Sequence, residues 1–312
     1  MPGVVTLSVE LELGWGMHDK QEYGHLSNDR SAETVALERL LSLADRYNIP
    51  ITFDIVGHLL EDSCPGHHTG PFRDGWWTED PGTDVESHPQ FYAPDLVKEI
   101  QNREVDHEIA THTYSHHLAE VAPDEELAEE LSKATAIHRE FGLPSPKSIV
   151  MPRHQRPNYY VIKDNNIKTI RKPFEEYEPR FSNPVTKLWW LLTRNHPVSK
   201  VHRRKGLIET TVTPHPSLTA VSLPNGRSPP HPIFRTIPSR IRRRLHRQYL
   251  IKAMDQAIES NKHVHLWTHV YNFANDDQWE PMSAGLGHLG SLHDENQVLI
   301  KRMQELREGD IS

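Results

Sequence analysis

A chain of 312 residues is long enough for one large α/β unit, and 36% hydrophobic residues with a mean hydropathy of −0.66 describe a polar protein that still buries an ordinary core. The formal charge of −8 argues against a general nucleic-acid binder, and the single cysteine, Cys64, excludes an intrachain disulfide and a Cys-rich zinc framework. No run approaches the ~20 apolar residues of a membrane span, and no basic leader precedes an apolar stretch, so the expectation is a cytoplasmic protein without a transmembrane segment.

Val4 to Leu13 reads as a buried strand closed by a Gly14-Trp-Gly16 turn. A helix is expected from about Ala32 to Tyr47, with Ser31 as its cap and Val35, Leu37, Leu40, Leu41 and Ala44 on its apolar face. Asn48-Ile49-Pro50 ends it, and residues 51–56 form the second strand. Residues 62–92 are rich in Pro, Gly, His and aromatics without any period. A loop that long is functional or disordered, and Phe72, Trp76 and Trp77 favour an ordered one.

A short helix follows from Ala93-Pro94, then a strand at His107 to Ala110 and the clearest helix of the chain at 123–141, stopped by Gly142 and Pro144. Further strands are expected at Ser148 to Met151, Lys168 to Ile170 and Leu207 to Val212. An irregular Pro-rich segment covers 214–238, a helix runs from Ile241 to Ser260, a strand from His263 to Trp267, and an amphipathic helix from Glu295 to Arg307. Strands alternating with helices imply a parallel sheet, open or closed into a barrel. No repeat or composition break divides the chain, so residues 1–312 are expected to form a single domain.

The chemistry concentrates in His107-Glu-Ile-Ala-Thr-His112-Thr-Tyr-Ser-His116 and in Glu10-Leu-Glu12. On one helical turn His112 and His116 would point the same way and share a divalent cation. Glu10 and Glu12, two apart on a strand, would leave the same face, one to complete the metal site and one to handle protons. That is a minimal kit for metal-assisted hydrolysis. Arg153 and His269 also follow strands, and in a parallel α/β sheet such strand ends lie together.

The order of acidic pair, His-Thr-Tyr-Ser-His, Pro152-Arg153 and His265-Leu-Trp-Thr-His269 resembles the polysaccharide deacetylase (NodB-homology) family of carbohydrate esterases, from Leu7 to about Phe273. Ile51-Thr-Phe-Asp-Ile-Val-Gly57 is similar to its second strand, and the last motif to a subgroup tied to surface-polysaccharide genes. The resemblance implies an irregular (β/α)7 barrel in the α/β class. It implies a metal, usually zinc, on Glu12, His112 and His116, with Glu10 as general base, Arg153 orienting that base and His269 as general acid. The backbone N–H of Tyr114 becomes the candidate oxyanion donor. Two departures stand out: the family carries Asp where this chain has Glu10 and Glu12, and Arg156 in Pro152-Arg153-His154-Gln155-Arg156-Pro157 rivals Arg153.

Trp76, Trp77, Phe91 and Tyr92 fit either a sugar-stacking platform or packing of the long loop. Arg240 to Arg247 and His202 to Lys205 fit either a solvated face or a phosphate clamp for a nucleotide- or lipid-linked sugar. The Trp189-Trp190 pair reads as the core of a local helix, and His107 and His265 as structural. The reading is thus a metal-dependent hydrolase removing an N-acetyl or O-acetyl group from a sugar or glycan precursor. A catalytically inactive glycan-binding barrel and a hydrolase of another amide are its rivals. Zinc leads among the metals, although Co, Ni or Mn suit the same ligands. Which sugar, which carrier and which oligomeric state stay open.

Overall fold

The structure, a computed structural model, describes residues 2–173, 198, 201–212 and 236–308. Within them lie strands β1 (Gly3–Leu11), β2 (Thr52–Ile55), β3 (Glu108–Thr111), β4 (Ser148–Val150), β5 (Thr169–Pro173), β6 (His202–Arg204), β7 (Leu207–Val212), β8 (His263–His269) and β9 (Val298–Ile300). The helices are α1 (Ser31–Tyr47), α2 (Pro94–Gln101), α3 (Asp124–Glu140), α4 (Tyr159–Asp164), α5 (Ser239–Ser260) and α6 (Asp276–Asp294).

β1 shows how the sequence builds the barrel. Val5, Leu7, Val9 and Leu11 are fully buried in the core shared with the helices. The alternate residues Thr6, Ser8 and Glu10, also buried, meet polar side chains from other strands. The ladder runs β6-β7-β5-β4-β3-β2-β1-β8, parallel throughout except for the antiparallel β6–β7 pair, and β9 adds to the start of β1. β7 packs beside β8, where Thr210 Oγ1 lies 2.8 Å from His265 Nδ1. With β6 and β9 as additions, the remaining seven strands form the (β/α)7 barrel.

Outside it, α1 (Leu37, Leu40, Leu41), α5 (Leu250, Ala253, Met254) and α6 (Met282, Leu286, Leu289) share one apolar cluster with β1. Each fully buried large aliphatic side chain contributes roughly 1.5–3 kcal/mol. Among the described residues no helix is long and apolar enough to cross a membrane.

Two expectations are corrected. Ser31 is not the cap of α1: the N-cap is Arg30 in the left-handed region (φ 60°), and Ser31 bonds Asp29 from within the helix. The final helix is not Glu295–Arg307 but α6, capped by Asn275, whose side chain accepts from the Asp277 N–H. Pro281 removes one hydrogen bond from α6, and burial of Met282, Leu286 and Leu289 overrides that loss. Val298–Ile300 instead pairs with Gly3–Val5. The Trp189-Trp190 pair and most of the Pro-rich segment lie outside the described residues.

Candidate active site

Glu10 ends the inward row of β1, and Glu12 lies one residue beyond the strand. Both are buried. Glu12 Oε2 is 3.1 Å from His116 Nε2 and 3.5 Å from His112 Nε2, while Glu10 Oε2 is 3.6 Å from His112 Nε2. From β8, His269 Nε2 sits between the carboxylates, 3.2 Å from Glu10 Oε2 and 3.4 Å from Glu12 Oε1. Gly16 makes room for the longer acid, because a Cβ there would lie 2.8 Å from Glu12 Cγ and closer still to its carboxylate.

The histidine box is a loop, not the helical turn its spacing suggested. Thr113 and His116 both take φ of 63°, and the His117 N–H donates to Thr113 Oγ1. The loop is pinned by Glu130 of α3, which accepts from the backbone N–H groups of Tyr114 and Ser115, each at 2.8 Å, and from Ser115 Oγ at 2.5 Å. The Tyr114 N–H expected to serve an oxyanion is therefore already committed.

His112 Nδ1 lies 2.8 Å from the Val150 carbonyl; donation there leaves Nε2, buried and without a hydrogen-bond partner, facing the carboxylates. The donor atoms of Glu12, His112 and His116 lie within 4.8 Å of one another. Burial holds His116 below the usual imidazole range despite the pull of Glu12, so it is neutral, as a metal ligand must be. Two imidazoles and a carboxylate fit zinc or a similar divalent ion.

Arg153 does not take the place expected for it. Its Nη1 donates to Asp19 Oδ2 at 2.9 Å, and its Nη2 pairs with Asp19 Oδ1. The backbone N–H of Arg156 donates to Glu120. The guanidinium on Glu10 belongs to Arg171 of β5, which also donates to Ser8 Oγ at 2.7 Å and lies 3.5 Å from Asp54 Oδ2. Burial opposes ionisation of Glu10, but Arg171 and His269 outweigh it and hold the carboxyl well below the usual range. At Asp54 burial wins, pushing its carboxyl well above that range. Burial likewise disfavours charge on His269, yet Glu10 and Glu12 raise it above an ordinary histidine. Sequence reasoning missed Arg171. Its signal was a charged residue flanked by Ile170 on one side, in step with Thr169, on the inward row of a buried strand.

Trp76 is buried, donates to Ser115 Oγ at 2.7 Å and carries Arg73 over its ring at 3.9 Å. It lines a cleft of about 390 Å³ with His18, Asp19, Arg73, Glu79 and Leu118, next to the histidine box. Trp77 stacks on His68 at 3.7 Å, and Tyr92 and Phe91 are core. Arg243 pairs with Asp277 and Glu280, Arg242 bonds the Ile237 carbonyl, and Arg203 pairs with Glu308; these contacts suit a packed and solvated face rather than a phosphate clamp. His107 and His265 are structural: His107 Nδ1 accepts from the Ile51 N–H, and His265 bridges Ser8 and Thr210.

Together these features define a NodB-type (β/α)7 barrel with a His/His/carboxylate cluster at the C-terminal ends of its strands. Residues 23–170 match the model of the polysaccharide deacetylase family. Among solved structures, a protein described as a polysaccharide deacetylase from Mycobacterium smegmatis is 14% identical with a TM-score of 0.60, over 97% of this chain and 87% of that one. A second, from Pseudomonas aeruginosa PAO1, is 12% identical with a TM-score of 0.57, over 99% and 92%. The Puue allantoinase is 11% identical with a TM-score of 0.56, over 96% and 87%. At these identities the likeness is one of fold. No curated protein matches the chain.

Proposed function

We propose that this protein is a metal-dependent deacetylase removing an N-acetyl or O-acetyl group from a sugar or glycan precursor. The observation that carries the proposal is the pairing of Glu10 with Arg171 beside the buried Glu12, His112 and His116. Glu12, His112 and His116 would hold the metal, zinc first. When bound, it lowers the pKa of water and polarises an acyl carbonyl.

The chain's own groups complete the chemistry. Glu10, kept ionised by Arg171, takes the proton from the attacking water. His269, its charged form favoured by the two carboxylates beside it and its ring stacked on Tyr271 at 4.7 Å, donates to the departing amine. Arg171 is a positioning residue, acting through Glu10. Trp76 and the cleft beside it form one wall for the sugar. The same geometry serves hydrolysis of another amide, so substrate, not residues, separates that rival.

Acetate release tests this reading, measured on N-acetylated and O-acetylated sugars, nucleotide sugars and chito-oligomers, with a cyclic amide as comparison. Metal-stripped protein is assayed with Zn, Co, Mn or none restored, beside Glu10→Gln and His112→Ala. Metal-dependent release lost in both variants is the expected result. Stoichiometric metal binding without release from any acetylated sugar would overturn it, in favour of a binding protein or, if the cyclic amide turns over, another amidase.

A further inference from the structure

From the end of the 3₁₀ turn Gly57–Leu60 to α2 the long loop has neither helix nor strand beyond a single bridge, Ser63 to Asp84. Yet its side chains converge. His58, on the 3₁₀ turn Gly57–Leu60 after β2, meets Cys64, His68 and Asp80 of the loop, with one donor atom from each within 4.8 Å of every other. Cys64 Sγ is 3.5 Å from His68 Nε2 and 3.5 Å from Asp80 Oδ2. Asp80 Oδ2 is 2.5 Å from His68 Nε2 and 3.6 Å from His58 Nε2. Ligands bonded to a zinc ion at about 2.0–2.3 Å stand roughly 3.3–3.7 Å apart in a tetrahedron, which three of these four separations match.

We propose that His58, Cys64, His68 and Asp80 form a second, structural metal site, built for zinc and separate from the catalytic cluster. Four independent features support it. His58 is fully buried, and neither of its ring nitrogens has a hydrogen-bond partner. A buried imidazole left that way costs about 1–3 kcal/mol, which a bond to a cation would offset. The second oxygen of Asp80 is fixed by the Gly82 N–H at 3.0 Å and the Tyr92 hydroxyl at 3.2 Å, so Oδ2 turns inward. The Gly66 N–H donates to Cys64 Sγ at 3.4 Å, an outer bond of the kind that orients a metal-binding sulfur. Aromatic rings close the surroundings, with Trp15 on His58 at 4.3 Å and Trp77 stacked on His68.

Four protein ligands leave no open position, so this metal holds structure rather than substrate. It ties the loop to the end of β2 and seats Trp76 against Ser115 of the histidine box. Nothing in this inference depends on the deacetylase reading, and its test separates the two.

Metal content per folded chain is counted in the wild type, His112→Ala and Cys64→Ser, and each is reloaded with cobalt. The expected result is two metals in the wild type and one in either variant. A near-ultraviolet thiolate-to-cobalt charge-transfer band should appear in the wild type and His112→Ala but not in Cys64→Ser. The catalytic cluster contains no cysteine, so that band reports the second site alone. If Cys64→Ser does not fold, the His112→Ala protein still decides. No thiolate band in wild type or His112→Ala, with a single metal lost on His112→Ala, would overturn the proposal whatever the activity.

Discussion

Arg171 on β5 and Glu10 on β1, 161 residues apart, form a buried ion pair across the barrel, with Ser8 on the second guanidinium nitrogen. The Glu10 carboxylate is therefore held ionised by a residue rooted in the barrel wall, not by the loop that follows β4. Removing Arg171 leaves a buried carboxylate without its main compensating charge. Arg171→Ala should cost about 3–5 kcal/mol of stability and move the acid limb of kcat/KM to higher pH, because burial then dominates at Glu10. Arg153→Ala, which breaks a partly exposed pair with Asp19, should cost about 1 kcal/mol or less and leave that limb in place. Matching pH profiles for the two variants would contradict this assignment.

Gly16 lies where a methyl group would displace the Glu12 carboxylate. Gly16→Ala should lower metal affinity by roughly tenfold or more while the barrel stays folded. Titration of metal-stripped protein with zinc reads this directly. An unchanged affinity would mean Glu12 does not need the space.

His269 is expected to matter most where the leaving group is poor. His269→Gln should slow amide cleavage by about two orders of magnitude or more. Cleavage of an acetate ester with a good leaving group, which needs no proton, should suffer much less. Equal losses on both substrates would assign His269 to holding Glu10 and Glu12 instead.

Burial raises the Glu130 carboxyl to about 7, against the hydrogen bonds it receives from Ser115 and Tyr114. A carboxyl raised in the folded state favours folding at low pH, and that contribution fades as pH climbs from its unfolded value toward 7. The change is on the order of 3 kcal/mol. Urea unfolding of metal-free protein at pH 5 and 7.5 should therefore show a steeper loss in the wild type than in Glu130→Gln. Parallel losses would show that Glu130 is ionised throughout.

The sequence by itself determined the alternation of strands and helices, hence a parallel sheet, open or closed, because period and turn chemistry are local. It also placed Glu10, Glu12, His112, His116 and His269 at strand ends, since a parallel barrel gathers those ends on one face whatever the loops do. The histidine box was legible as a motif but not as a shape: its loop depends on Glu130, fourteen residues beyond His116. Tertiary structure alone decided that Arg171 rather than Arg153 meets Glu10, that the Tyr114 N–H is spent on α3, and that His58 joins Cys64, His68 and Asp80. Each of these rests on strand register and on where a long loop folds back, and contacts between remote residues leave no local pattern in the chain. α6 makes the same point about packing, which kept a helix through Pro281 because its apolar face had a barrel to cover.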